Sequence, residues 1–130
     1  MSRAPARLTP EVIERLAPYV DRHSLATFRA RTVTPWTWVP RVLRASAVTL
    51  GADVCFKPGA FDPASPRGLA LIAHECVHVR QYRELGALRF LLSYARGVVA
   101  SRGVHDSHPM ELEAEALQAR VRNELARPPV

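Results

Sequence analysis

The chain has 130 residues, 48% of them apolar and 23% charged, which suits one compact domain over residues 1–130 and argues against disordered, collagenous or low-complexity protein. Eighteen Lys and Arg against twelve Asp and Glu give a net charge of +6, but the arginines are scattered from Arg3 to Arg127 with no RNA-recognition, KH or zinc-finger pattern, so a solvated basic surface is favoured over nucleic-acid binding. No stretch approaches the roughly 18 apolar residues of a membrane-spanning helix, and Cys55 and Cys76 are too few for a disulfide scaffold.

In chain order, residues 1–8 read as a frayed start. Thr9-Pro10-Glu11 is a helix-start signal, with a capping hydroxyl, proline in the first turn and an acid at the positive end. Val12, Ile13, Leu16 and Ala17 follow at helical spacing, so a short amphipathic helix is predicted to end before Pro18. Thr27–Val33, Ala45–Leu50 and Ala52–Phe56 read as strands, the last two separated by Gly51. Pro35 to Pro40, with Trp36 and Trp38, reads as a loop or sheet edge. Ser65-Pro66 opens a long helix that runs to Leu85 and stops at Gly86. Leu69, Leu71, Ile72, Ala73, Val77 and Val79 surround more than one face of it, the mark of a central helix. A third helix is expected from Ala87 to about Arg96, a loop over Ser101–Ser107, and a last helix from His108-Pro109 that frays over residues 127–130.

The chemistry lies in the long helix. His74-Glu75-Cys76-Val77-His78 is an HExxH pattern. Residues four apart share a helix face, so both imidazoles can reach one ion. Neutral imidazole is a natural zinc ligand. Glu75, about 100° around the helix from His74, is placed to take a proton from activated water without being a ligand itself. Cys76 falls toward the back. A catalytic zinc needs a third protein ligand, and Gln81 and Glu84 stand where the HExxHxxGxxH arrangement would require Gly and His. Glu111-Leu112-Glu113-Ala114-Glu115 opens the last helix. Glu111 and Glu115 share a face, so one can bind metal while the other accepts an imidazole N–H. A solvated acidic first turn is the competing reading of that cluster.

HECVH followed at a distance by E-x-x-A-E resembles the glutamate-type zinc metallopeptidases, the gluzincins. The closer likeness is to the eCIS core domain, named for bacterial extracellular contractile injection systems. It is similar over Gly51–Tyr82, through GADVCFKPGAFDP and GLALIAHECVHVRQY, and again over HPMELEAE from His108 to Glu115. This resemblance implies a compact α+β zincin-like domain whose HExxH helix packs with other helices and a small β-sheet. It implies one zinc ion held by His74, His78 and Glu111, with Glu75 as general base. Gln81 matches the family's glutamine and is a candidate to orient a neighbour. Glu115 stands where aspartate is common, and His108 where asparagine is frequent.

The expected function is a zinc-dependent metallopeptidase acting on a peptide or protein substrate. Tyr82, Tyr94, His105 and His108 are candidate donors to the developing oxyanion, and Val54-Cys55-Phe56 could hold an extended peptide by edge pairing. The first alternative is a non-catalytic zinc-binding docking or cargo domain that meets injection-system components; the second is a basic nucleic-acid-binding domain. The absent signal-peptide pattern makes the cytoplasm the default compartment, and export by a signal-independent route would leave no trace in the sequence.

Overall fold

The computed structural model describes residues 6–32, 47–100 and 109–127. Ala6–Arg7 form strand β1 and Leu8 is buried, so ordered structure begins inside the segment expected to fray. Helix α1, Pro10–Leu16, starts where the Thr9 hydroxyl accepts the Val12 N–H, and it turns Val12 and Leu16 into the core. Helix α2, Arg22–Thr27, is absent from the sequence reading, which began a strand at Thr27. The Asp21 carboxylate accepts the Ser24 N–H at 2.9 Å, and this cap outweighs the strand preference of Thr27 and Phe28. Strand β2 starts only at Arg29 and runs to Thr32.

Strands β3, Ala47–Leu50, and β4, Asp53–Phe56, form a hairpin in which Gly51 takes a φ of 71°. That left-handed conformation suits glycine in a tight hairpin. The sheet order is β1-β2-β4-β3, with β2 parallel to β4 and the other pairs antiparallel. Ala30, Ala47, Val54 and Phe56 face the core. On the opposite face Arg29 and Arg31 each contact Asp53 at 3.0 Å. The expectation that Val54–Phe56 could pair with a peptide is corrected by this topology. Strand β4 already has β2 on one side and β3 on the other, so its backbone groups are taken.

Helix α3, Pro66–Leu85, has the expected ends: the Ser65 hydroxyl accepts the Gly68 N–H, and Gly86 closes it at a φ of 81°. A Cβ on Gly68 would lie 1.7 Å from the Asp62 carbonyl oxygen, so only glycine permits this approach of loop to helix. From Gly68 to Val79 nearly every residue is buried, because α1, α2 and β3 pack on α3 together with α4, Ala87–Ala100, and α5, Pro109–Ala126. The fold is thus α+β, with the HExxH helix central as its all-round apolar surface predicts. Helix α4 runs about one turn past the expected Arg96, since Val98, Val99 and Ala100 continue a helical apolar pattern. Among the described residues no helix is long and apolar enough to cross a membrane. The Trp36 and Trp38 segment, the Ser101–Ser107 loop with His105, and His108 lie outside the described residues.

Candidate metal centre

His74 and His78, one turn apart on α3, present their rings 5.1 Å apart between centroids. Helix α5 lies along α3 and brings Glu111, in its own first turn, against both. Glu111 Oε1 is 2.5 Å from His78 Nε2, and Oε2 is 3.3 Å from His74 Nε2. All three side chains are buried, and their ligand atoms lie within 4.8 Å of one another. Two imidazole nitrogens and one carboxylate oxygen, gathered inside the protein, form a donor set suited to a divalent ion such as zinc. The acidic start of α5 is therefore divided in function: Glu111 turns inward, and Glu113 stays exposed.

A second layer fixes this geometry. Gln81, three residues after His78, places its Oε1 2.9 Å from His78 Nδ1. An N–H at Nδ1 donating to that oxygen makes Nε2, which faces Glu111, the nitrogen available to a metal once its proton is lost. The Gln81 amide also donates to the Met110 carbonyl at 3.3 Å and to Glu113 Oε1 at 3.1 Å, so one residue ties His78 to the start of α5. Arg80 donates to both Glu113 oxygens and strengthens the same junction. His74 Nδ1 is buried and has no hydrogen-bond partner among the described residues.

The electrostatics follow the contacts. Burial opposes charging His78, but the Glu111 contact, the Glu75 and Glu111 charges and Gln81 outweigh it and raise its pKa to about 9. Burial likewise opposes ionising Glu111, yet His74 and His78 hold its carboxyl well below the usual carboxylate range. At neutral pH the metal-free His78 therefore carries a proton that a metal ion would have to displace. Cys76 backs the site as a buried thiol, its pKa pushed up by burial and by the Glu75 charge, and it takes no part in the ligand cluster.

Glu75 is only 2% exposed. Its Oε1 lies 4.0 Å from His74 Nε2, while Oε2 accepts a hydrogen bond from the Thr49 hydroxyl at 2.8 Å. Thr49 was not singled out from the sequence, because only the packing of β3 on α3 brings it to Glu75. Tyr82, one turn beyond His78, is half-buried and rests on Phe90 of α4 at 4.7 Å between ring centroids. Phe90 is buried and also faces His78 at 6.4 Å, giving the site an apolar wall. Glu115 is half-buried one turn after Glu111, and Tyr94 lies on α4.

The family model described as the eCIS core domain matches residues 8–86, more than half of the chain. The match takes in the sheet strands β2 to β4 and all of α3 with His74, Glu75 and His78, and it ends before α5 and Glu111. No curated protein and no solved structure matches the chain.

Proposed function

The chain belongs to the eCIS core domain family, and on that premise we propose that it is a gluzincin-type, zinc-dependent metallopeptidase with Glu75 as its general base. The observation that carries the reading is the meeting of His74, His78 and Glu111 from two helices, with a separate buried carboxylate, Glu75, beside them. The three residues would hold one zinc ion, which when bound supplies Lewis-acid polarisation of a carbonyl and a nucleophile at neutral pH. Glu75, with Oε2 engaged by Thr49, takes a proton from the attacking water at Oε1 and passes it to the leaving amine. Gln81 keeps the His78 ring in the tautomer that leaves Nε2 free. Tyr82 is the described candidate for hydrogen bonding to the developing oxyanion, and Glu115 for supporting the ligands from α5.

Among the described residues β3 is paired on one side only, by β4, and it carries Thr49. An extended stretch of a peptide or protein substrate added along that edge would pass the Glu75 end of the site. The test is cleavage of a quenched-fluorescent peptide library by the full, zinc-loaded chain. Glu75→Gln should keep its zinc and lose about a hundredfold or more in rate. Cleavage by Glu75→Gln at the parent rate overturns the assignment.

A second reading is favoured by the depth of the site, where His74, Glu75, His78 and Glu111 are all buried. It takes the chain as a non-catalytic metal-binding domain that docks to, or travels as cargo of, a bacterial contractile injection system, in keeping with the family's name. This version retains zinc but shows no cleavage that depends on Glu75.

A further inference from the structure

Strand β3 offers the core an inner face on which Ala47 is apolar and Thr49 is not. Thr49 is paired with Val54 in the β3–β4 register, and its neighbours on the inner face of the sheet are Ala30, Val54 and Phe56, all buried and apolar. A buried hydroxyl in such surroundings is unfavourable unless it finds a partner. The partner here is Glu75, whose Oε2 accepts the Thr49 proton at 2.8 Å. The other carboxylate oxygen, Oε1, is the one nearer His74 Nε2.

We infer that Thr49 is the positioning residue of Glu75, holding one carboxylate oxygen so that the other is presented to the His74–His78–Glu111 cluster. The inference rests on the reading of Glu75 as general base. The terminal torsion of a glutamate is broad and weakly restrained, so the helix backbone alone does not fix which oxygen faces the ligands. Threonine is stiff at χ1, and its backbone is locked by pairing with β4. The hydroxyl is therefore a fixed donor, set by the sheet, that selects one orientation of a carboxylate carried by the helix. Valine would keep the shape and the branching of the side chain and remove the donor alone.

The experiment compares the full parent chain with Thr49→Val, Thr49→Ser and Glu75→Gln. The first readout is kcat and KM on the quenched peptide library after zinc loading. The second is binding of acetohydroxamate to the cobalt-loaded protein, followed by visible absorption, since a chelating hydroxamate gives up its hydroxyl proton to a suitably placed carboxylate. Thr49→Val should bind metal as the parent does and keep its KM, while kcat and acetohydroxamate affinity each fall about tenfold to a hundredfold. Thr49→Ser should recover most of both, which a purely structural role for the threonine methyl would not give. Should Thr49→Val fail to fold, Thr49→Ala carries the same comparison.

Equal kcat and equal acetohydroxamate affinity in parent and Thr49→Val overturn the inference, and an inactive Glu75→Gln beside them leaves the peptidase reading standing. Undiminished cleavage by Glu75→Gln overturns both. With no cleavage from the parent, acetohydroxamate binding decides: weakened in the valine variant and restored in the serine variant supports the positioning role, and no difference overturns it. A parent chain that takes up no cobalt also overturns it.

Discussion

Helix α3 carries His74, Glu75 and His78 into the middle of the molecule, while α4, which leaves it at Gly86, holds Leu88, Leu91 and Leu92 outward. The two helices depart from the inside-out rule in opposite directions, and the departures differ in weight. Apolar atoms make up more than half of an ordinary protein surface, so exposed leucines are a weak signal. Buried ionisable groups are costly to keep without partners, so a cluster of four of them calls for a ligand or a reaction. The α3 side chains also answer one another, through Glu111, Gln81 and Thr49. Burial of polar groups therefore points to the candidate metal centre of this fold, and apolar content does not.

Removing a partner on the α3 side should do the most damage. Glu111→Ala leaves the buried His78 without its carboxylate, and loss of one member of a buried pair costs about 3–5 kcal/mol. Urea unfolding with a chelator present should show that loss before any metal effect enters. A drop under about 1 kcal/mol would mean that the pair is worth no more than a surface contact. Gln81→Leu should act on the ions rather than the fold. By freeing His78 Nδ1 and loosening the start of α5, it should weaken zinc binding about 10- to 100-fold in a competition titration.

Acidity separates the metal-free and metal-loaded states. His78 is raised from 6.5 to about 9 in the folded chain, so its pairing stabilises fully below about pH 6.5 and is lost as pH rises through about 9. Glu111 is lowered, so its contribution is present above the ordinary glutamate range and disappears only in strong acid. Between these limits the metal-free chain should lose stability as pH climbs from about 6.5 to 9. Zinc affinity should rise over the same interval, because the ion replaces the His78 proton. Denaturant midpoints should fall over this interval without zinc and stay nearly level with it; parallel slopes would mean that His78 does not exchange a proton for metal. The smallest effect belongs to α4. Leu88, 70% exposed, should tolerate Leu88→Gln within about 0.5 kcal/mol, and a larger loss by thermal denaturation would show that the outward leucines have a partner in solution.

Much of α3 was legible in the sequence because its signals are local. Ser65, Pro66 and Gly86 mark its ends, and the four-residue spacing of His74 and His78 needs only a helix to put both on one face. Glu111 was legible from an acidic helix start together with the family resemblance. What escaped depends on pieces far apart in sequence. Thr49 meets Glu75 across 26 residues, and nothing in the Ala47–Leu50 pattern says which helix its inner face will touch. The place of β4 inside the sheet follows from β2 running parallel to it, a crossover that strand patterns do not encode. Helix α2 escaped for a local reason: it has one large apolar residue, Leu25, too few for a helical period, and its Asp21 cap was the usable signal.

The most direct test of the account is the metal content of purified, dialysed protein, measured by mass spectrometry beside His78→Ala. About one zinc per parent chain, and little in the variant, is the predicted result. A parent chain free of zinc after reconstitution, or a His78→Ala variant that holds as much as the parent, would contradict it.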